Sequence, residues 1–279
     1  MDSKTHKDTA PCNPLSSFVT RLGLNTIDGT IGFASTLAFL GETTITFLSL
    51  FIGKSKLRLR NFFLILQETG PRALPIVFLI SFLVGIIITF LGAVVLQRMG
   101  AEVYVSYILG FGVLREMGVL MVAIIMAGRT GAAFAASLGS MKVSEEIDAL
   151  TTFGISPIEY LVIPRILALI VMMPFLTIIA DFVGIVGGYM ISAILFDMSP
   201  AQFFGGMKEV TGLTDLWVGV GKSVIFGAII GFCGCLRGMQ CKNSADAVGL
   251  AATSAVVTSI TLIVVANALV DWISIIYNI

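Results

Sequence analysis

Five long apolar stretches constrain this chain more than any other feature. They cover residues 74–96, 104–127, 161–196, 216–236 and 251–276. A helix needs about 20 apolar residues to cross the roughly 30 Å hydrocarbon core of a bilayer, and every stretch is at least that long. Within hydrocarbon the backbone must satisfy its own hydrogen bonds, which favours helices. The sequence therefore predicts an all-α polytopic membrane protein with five transmembrane helices.

The composition agrees with a location in the membrane. Hydrophobic residues make up 57% of the chain and charged residues only 12%, whereas soluble domains contain about 25% charged residues. The 17 basic and 17 acidic residues give no net charge, so the chain has no overall positive field that would attract nucleic acid. We therefore expect no nucleic-acid partner.

The N-terminal region is predicted to stay on the cytoplasmic side. Residues 1–25 contain no apolar core of a signal peptide, so we expect a flexible cytoplasmic tail there. The apolar stretch at 31–53 is interrupted by Glu42 and followed by basic residues at 54, 56, 58 and 60. If this stretch crossed the membrane from a cytoplasmic N-terminus, those basic residues would be external, against the positive-inside rule. We therefore expect 31–53 to be an interfacial or re-entrant helix.

The distribution of Lys and Arg predicts the orientation. With a cytoplasmic N-terminus, the loops at 129–160 and 237–250 are cytoplasmic, and those at 97–103 and 197–215 are external. Thirteen of the 17 Lys and Arg residues then lie on the cytoplasmic side, including Arg165 at the start of the third stretch, two lie outside and two lie within spans. Cytoplasmic loops of membrane proteins carry such an excess of basic residues. We therefore predict a multi-pass protein with a cytoplasmic N-terminus.

The cytoplasmic loop between the second and third spans contains a candidate docking helix. Residues 141–150 are predicted to be helical, because Val143, Ile147 and Leu150 recur at helical spacing. Ser144 and the two acidic residues that follow it suit a helix N-terminus. An acidic amphipathic helix at the cytoplasmic surface is suited to docking into another protein.

The start of the third span is marked by a capping pattern. Ser156 precedes Pro157, which suits the first helical position, and Glu159 follows three residues after the Ser. A Ser at the cap and a Glu three residues on form a capping box. We therefore expect a hydrophobic helix to begin directly after Ser156.

Arg115, Glu116 and Lys222 are charged residues inside apolar stretches and need partners. Arg115 and Glu116 lie in the middle of the second span, and Lys222 lies near the start of the fourth. Each charge costs roughly 2.5 to 3.5 kcal/mol at the bilayer centre, and neighbours in sequence do not face each other on a helix. One interpretation is a structural salt bridge between Glu116 and Lys222 or Arg115. The other is a polar lining for a charged lipid headgroup, and the residues alone leave both open.

Catalytic, nucleotide and metal sites are not expected. The segment 219–223, GVGKS, lacks the first Gly of a phosphate-binding loop and lies in an apolar helix. His6 is the only histidine, and Cys233, Cys235 and Cys241 do not have the spacing of a metal site. We therefore expect no catalytic residue, no bound metal and no cofactor in this chain.

Three segments together carry a resemblance to a known family. They are LREMGVLMVAIIMAGRTGAAFAASLGSMKVSEEIDALTTFGISPIEYLVIPR at 114–165, GKSVIFG at 221–227 and ADAVGLAATSAVVTS at 245–259. This order resembles the MlaE/YrbE family, the permease subunits of ABC systems that move phospholipids between bacterial membranes. The similarity runs from about residue 31 to the C-terminus, so the resemblance implies one MlaE-type permease domain over 26–279.

The resemblance implies a function and a set of partners. The chain would be the permease of a transporter that moves phospholipids between the inner and outer membranes and so affects outer-membrane lipid asymmetry. It would act as a homodimer in the bacterial inner membrane. A separate MlaF-like ATPase subunit would bind and hydrolyse ATP on the cytoplasmic side, and a MlaD-like MCE-domain protein would lie on the far side. The permease itself would not be an enzyme.

The resemblance also implies roles for individual residues. Arg115, Glu116 and Lys222 match charged positions near the family's lipid cavity. The segment that matches the family's ATPase-coupling helix consists of Ser144, Glu145, Glu146, Ile147, Asp148 and Leu150.

Two other functions remain as alternatives. The first is an ion- or proton-coupled secondary transporter that uses Glu116, Asp181 and Lys222 as a relay. The second is a membrane scaffold that transports nothing. Copurification of a nucleotide-binding subunit would favour the permease over both.

Overall fold

The computed structural model describes residues 32, 34–50, 59–98, 100–101 and 104–277. Within these ranges the chain is helical almost throughout and contains no β-strand, which confirms the predicted all-α class. The predicted tail at 1–25 and the basic positions 54, 56 and 58 lie outside the described residues.

The described helices are, in chain order, α1 (Ala34–Leu50), α2 (Leu59–Thr69), α3 (Leu74–Gln97), α4 (Tyr104–Gly112), α5 (Gly118–Met126), α6 (Ala132–Val143), α7 (Glu146–Thr152), α8 (Ile163–Phe196), α9 (Pro200–Val210), α10 (Leu213–Met239) and α11 (Ala245–Tyr277). Two π-helical turns, Val113–Met117 and Ala127–Gly131, join α4, α5 and α6 into one continuous helix, and a third, Ile158–Val162, precedes α8.

The predicted count of five spans is confirmed. The segments long and apolar enough to cross a membrane are Leu59–Gln97, Tyr104–Val143, Ile158–Phe196, Leu213–Met239 and Ala245–Tyr277. The helix α1 is apolar but shorter than these. It contacts α10 through Phe39 and Phe232, whose ring centroids are 5.4 Å apart. Its placement in the membrane interface stays a prediction.

The second span extends much further than its apolar stretch. That stretch ends at residue 127, but the helix continues through α6 to Val143. Small residues permit this extension because they let α6 lie directly against α10. A Cβ atom at Gly238, for example, would be 2.7 Å from the side chain of Leu138. Much of the predicted loop at 129–160 is therefore helix.

The predicted helix at 141–150 starts in the wrong place. Residues up to Val143 complete α6, and α7 begins only at Glu146. The break is at Glu145, whose φ of 60° lies in the left-handed region that residues with side chains seldom adopt. Periodicity does not reveal such a break, because the apolar positions on both sides of it keep helical spacing.

The third span starts where the sequence predicts. The Oγ atom of Ser156 accepts a hydrogen bond from the backbone N–H of Glu159 at 3.5 Å, and the helical turn Ile158–Val162 follows Pro157. The span contains 39 residues, which at 1.5 Å per residue is roughly 58 Å. It must therefore tilt or extend beyond the hydrocarbon core.

The helix α9 was not predicted, although the sequence contains its signal. It lies in the loop at 197–215, where Ser199 and Gln202 form a reciprocal capping box around Pro200. This is the same Ser-Pro pattern that marks the third span. The helix is held by Phe203, which is fully buried and lies 5.3 Å from the ring of Tyr189.

The helix α8 lies at the centre of the bundle, between α3 and α10. The backbones approach closely on both sides. A Cβ atom at Gly85 of α3 would lie 1.9 Å from the carbonyl oxygen of Gly184, and one at Gly227 of α10 would lie 2.8 Å from that of Leu169. The buried core beside these contacts includes Val119, Val122, Met126, Leu169, Met173, Phe226 and Ile230.

The three described cysteines are part of the packing. Cys233, Cys235 and Cys241 are buried free thiols. Across the described ranges, no group of His, Cys, Asp and Glu side chains is arranged to hold a metal ion. Buried thiols of this kind behave as small apolar side chains.

Candidate functional site

The first π-helical turn places two opposite charges inside the membrane. It comprises Val113–Met117 and contains Arg115 and Glu116. A π-turn inserts an extra residue into an α-helix and is frequent at functional sites. The two side chains have different partners: Arg115 faces α10 near its start, whereas Glu116 faces both α10 and α11.

Lys222 is the central residue of this region. Its side chain is fully buried in α10, and its ammonium group forms ion pairs with the carboxylates of Glu116 and Asp271. It also donates a hydrogen bond to the backbone carbonyl of Arg115 at 3.3 Å. The Glu116–Lys222 pair is one of the two salt bridges that the structural interpretation of these charges allows.

Asn267 closes a ring of polar contacts around Lys222. Its Nδ2 group donates to Oε2 of Glu116 at 3.0 Å and to Oδ2 of Asp271 at 3.0 Å. The two carboxylates are therefore bridged twice, once by the ammonium group and once by the amide. These contacts connect the second, fourth and fifth spans within the apolar region.

Arg115 belongs to a second pair beside this ring. Its Nη1 atom lies 3.1 Å from Oδ1 of Asp215, and both side chains are about one-eighth exposed. The other carboxylate oxygen of Asp215 accepts from the backbone N–H of Gly212 at 3.0 Å and so caps α10. The guanidinium also lies 5.4 Å from the ring centre of Phe111. The cap of α10 is thereby tied to the second span.

We refer to these residues as the charged cluster: Arg115, Glu116, Asp215, Lys222, Asn267 and Asp271. Two cations and three carboxylates give it a net charge of −1. The Lys222 side chain is 0% exposed, whereas those of Glu116 and Asp271 are 24% and 30% exposed. The accessible face of the cluster is therefore formed by carboxylates, and the ammonium group lies behind them.

The cluster lies in the outer half of the membrane if the predicted orientation holds. Lys222 is nine residues after Leu213, the first residue of α10, and Asp271 is six residues before Tyr277 at the end of α11. At 1.5 Å per residue these positions are roughly 14 Å and 9 Å from the helix ends. Both of those ends are external in the predicted topology.

Three members of the cluster were missed by sequence reasoning. Asp215 is near the start of α10, whereas Asn267 and Asp271 are one helical turn apart near the end of α11. Polar residues four apart inside an apolar helix share a face, so the spacing of Asn267 and Asp271 was a usable signal.

Asp181 is not part of this cluster. It is 2% exposed in α8, and neither carboxylate oxygen has a hydrogen-bond partner in the described part of the chain. A Cβ atom at Gly118 would lie 1.7 Å from its Oδ1 atom, so it faces the helix just after the π-turn. The relay of Glu116, Asp181 and Lys222 is therefore not a connected hydrogen-bond network in this structure.

The predicted coupling segment divides into a buried and an exposed part. Ile147 is buried against the ends of α6 and α8, and Leu150 is half-buried. Glu145, Glu146 and Asp148 are exposed, and Ser144 Oγ donates to Oε1 of Glu146 at 3.0 Å. The apolar face of α7 therefore packs against the rest of the chain. Its acidic face is exposed and can contact another protein.

An exposed aromatic residue accompanies the acidic face of α7. Phe153 is 79% exposed and directly follows α7, just before Gly154, which has a φ of 74°. Sequence periodicity did not single it out, because it lies outside the helix. Large aromatic side chains are enriched in protein interfaces.

Comparison with known proteins identifies the family. The family model "Permease MlaE" matches residues 62–273. A probable ABC transporter permease protein of Synechocystis sp. is 35% identical over 223 residues, which cover 80% of this chain and 85% of that protein. A probable ABC transporter permease protein of Rickettsia typhi is 35% identical over 201 residues, 72% of this chain and 78% of the relative.

A plant relative is similar over nearly the same length. The chloroplastic protein TRIGALACTOSYLDIACYLGLYCEROL 1 of Arabidopsis thaliana is 34% identical over 214 residues, which cover 77% of this chain and 61% of that protein. The family match covers the second to fourth spans entirely and most of the other two. The chain is a multi-pass membrane protein, and it belongs to the MlaE family of ABC transporter permeases.

Proposed function

We propose that this chain is the permease subunit of an ABC transporter that moves phospholipids between the inner and outer membranes of a bacterium. The observation that carries the proposal is the charged cluster, a set of ionised side chains inside apolar helices of an MlaE-family permease. Ionisable groups within a membrane usually mark the path of a polar substrate. The name of the Arabidopsis relative, which is that of a glycolipid, supports a lipid substrate.

The cluster would provide polar contacts for a headgroup within the membrane. Glu116 and Asp271 are its accessible members, so an amine or hydroxyl group of the headgroup would donate to them. The phosphate would be held by Arg115, because guanidinium groups bind phosphate through paired hydrogen bonds. Asp215 would release Arg115 at that moment and keep its hydrogen bond from the Gly212 N–H. Lys222 would hold the two carboxylates in place.

The energy for transport would come from a separate MlaF-like ATPase subunit at the cytoplasmic face. Its contact would be the exposed part of the coupling segment, Ser144, Glu145, Glu146 and Asp148, together with Phe153. Ile147 and Leu150 would hold this segment against the rest of the chain. The exposed acidic face of α7 and the exposed Phe153 ring support this assignment. We further propose that the permease forms a homodimer in the inner membrane, with a MlaD-like MCE-domain protein on the external side and a cytoplasmic N-terminus.

The test begins with purification of the full chain from its native host under mild conditions. A nucleotide-binding subunit should copurify in a fixed ratio. The complex, placed in liposomes with a fluorescent phospholipid, should move that lipid when ATP is present, and a non-hydrolysable ATP analogue serves as the control.

Two results would replace this proposal with one of its alternatives. Movement of a substrate that follows a proton gradient and needs no ATP would identify a secondary transporter. Absence of both an ATPase subunit and lipid movement would leave a membrane scaffold.

A further inference from the structure

A second group of charged residues lies far from the charged cluster, where α2, α6 and α8 meet. It surrounds a cavity of about 310 Å³ whose polar lining includes Glu68, Arg72, Arg129, Thr130, Ser137 and Arg165. Apolar side chains, among them Ile65 and Phe134, form the rest of the wall. We call this cavity the arginine pocket.

Arg129 has hydrogen-bonding capacity that the chain does not use. It lies in the π-helical turn Ala127–Gly131, and its Nη1 atom is buried without a hydrogen-bond partner among the described residues. A guanidinium group has five N–H donors and stays charged in proteins. Leaving a buried charged donor unpaired is costly, so this position is suited to an acceptor from outside the chain.

Arg165 is held in a fixed direction beside this position. Its Nη1 atom donates to the Leu161 carbonyl at 2.8 Å and its Nη2 atom to Ser137 Oγ at 3.3 Å. Its guanidinium lies 5.7 Å from the ring centre of Phe134. These neutral partners orient the guanidinium without compensating its charge, and the carboxylate that interacts with that charge is the exposed Glu68.

The pocket as a whole is positive. Among the described residues that line it, the one carboxylate is Glu68, which pairs with Arg72 at 3.3 Å, and both of these side chains are about two-thirds exposed. Exposed pairs of this kind contribute little and open readily. Three guanidinium groups against one carboxylate leave a net charge of +2 around the cavity, so its complementary ligand is an anion.

The position of the pocket indicates which anion. Arg129 lies two residues after the apolar stretch that ends at residue 127, and Arg72 lies two residues before the one that starts at residue 74. Both residues therefore lie where the hydrocarbon core ends, on the side that the Lys and Arg distribution makes cytoplasmic. Lipid phosphates occupy this depth, and the apolar wall at Ile65 and Phe134 is suited to the glycerol and upper acyl chain.

We propose that the arginine pocket binds the phosphate group of a phospholipid from the cytoplasmic leaflet. Arg129 and Arg165 hold the phosphate oxygens, and Arg72 joins them when its pair with Glu68 opens. Arginine suits this task because its planar group binds two phosphate oxygens at once. The site is separate from the charged cluster and does not require the bound lipid to be the transported one.

The test measures lipid binding by the purified full chain without ATP. Delipidated protein in detergent is titrated with phosphatidylglycerol, and bound lipids are counted by native mass spectrometry. Arg129→Gln should weaken one binding step about tenfold. Arg72→Gln, at an exposed position, should weaken the same step without affecting folding. Glu68→Gln should strengthen it, because it removes the only carboxylate of the pocket. Arg60→Gln is the matched control on α2, outside the pocket, and should bind like the wild type.

Two further probes distinguish the source of the phosphate. Diacylglycerol has the same acyl chains without the phosphate, and it should not occupy the site. Inorganic phosphate should compete only weakly, because it lacks the apolar part. Equal binding of phosphatidylglycerol by the wild type, Arg72→Gln and Glu68→Gln would overturn the proposal, and so would equal binding of diacylglycerol. Saturation by inorganic phosphate without competition from lipid would overturn the lipid assignment. None of these results depends on transport.

Discussion

Among individual residues, Lys222 contributes most to holding the helices together. Its buried ammonium group is shared by the carboxylates of Glu116 and Asp271, so three helices depend on one charge. Glu116 is less critical, because its loss still leaves Lys222 paired with Asp271. Removing one partner of a buried ion pair is far more damaging than removing all partners together.

We therefore predict that Lys222→Met destabilises the protein by about 3 to 5 kcal/mol, because it leaves two carboxylates without a cation. Glu116→Gln should cost clearly less. A triple variant that combines Lys222→Met with Glu116→Gln and Asp271→Asn should recover much of the loss. Thermal unfolding of the purified variants in one detergent measures this order. Equal losses in the two single variants would contradict the central position of Lys222.

The Arg115–Asp215 pair provides a prediction about lipid binding that rests on the proposed function. Arg115→Ala should lower the amount of copurified phospholipid, because it removes the cation that would hold the phosphate. Asp215→Asn should raise that amount, because it removes the carboxylate paired with Arg115 while an amide oxygen still accepts from Gly212 N–H. The measurement is lipid phosphorus per chain. Arg98→Ala, an exposed position outside the cluster, is the control, and a change in the same direction for both cluster variants would contradict the model.

Sequence patterns identified three charged residues of the charged cluster, but they left open which residues pair with each other. The cost of an ion in hydrocarbon is enough to identify Arg115, Glu116 and Lys222 from the sequence. Their pairing depends on which helices lie side by side, and no periodicity encodes that. Asp271 reaches Lys222 because α10 and α11 pack together.

Among the helices, α6 shows that the length of an apolar stretch does not always predict where the helix ends. The helix continues beyond residue 127 because Gly and Ala residues let it pack on α10, although its average hydrophobicity falls. Hydropathy measures how apolar a segment is, so it identifies helices that contact lipid. The helix α6 is instead stabilised by packing against a neighbouring helix. The five spans were predictable because each contains an apolar stretch of about 20 residues or more.

The contact between α3 and α8 gives a test of helix packing. Gly85→Ala would place a Cβ atom 1.9 Å from the carbonyl oxygen of Gly184, and such overpacking typically costs about 1 to 3 kcal/mol. Gly249→Ala in α11 meets no atom within 4 Å, so it should be neutral or stabilising by up to about 1 kcal/mol. Thermal unfolding of both variants measures the difference. A stable Gly85→Ala variant would show that the two helices lie further apart.

The acidic face of α7 gives a test of coupling. Reversing both charges with Glu145→Lys and Glu146→Lys should weaken attachment of the ATPase subunit, because both residues are exposed in the segment proposed as its contact. Insertion and folding should be unaffected, since the buried Ile147 is unchanged. Asp246→Lys, at another exposed position on the predicted cytoplasmic side, is the control. Recovery of the ATPase is quantified by pull-down, and full recovery with the double variant would exclude this face as the contact.

In the molecule as a whole, the charged cluster and the arginine pocket lie at different depths. They also differ in how far their charges are paired within the chain. The cations of the charged cluster already have carboxylate partners, whereas the arginine pocket has an uncompensated charge of +2. A paired cluster resists large movement of the helices that it connects. A ligand that neutralises the charge of the arginine pocket would stabilise the folded protein. The assignment of each region to a leaflet depends on the orientation of the chain.

Orientation is tested by cysteine labelling in a variant in which Cys12 is replaced by Ser, so that only the three buried native thiols remain. A cysteine at Ser55 should react with a membrane-impermeant maleimide only after the membrane is opened, because the basic residues around it resist translocation. Ser244→Cys should behave in the same way, whereas Thr214→Cys should be labelled in intact spheroplasts.

Labelling of the Ser55 position from outside would show that 31–53 crosses the membrane. Inverted labelling of the Ser244 and Thr214 positions would reverse the whole chain and move the arginine pocket to the outer leaflet, where its ligand would have to be a lipid of that leaflet.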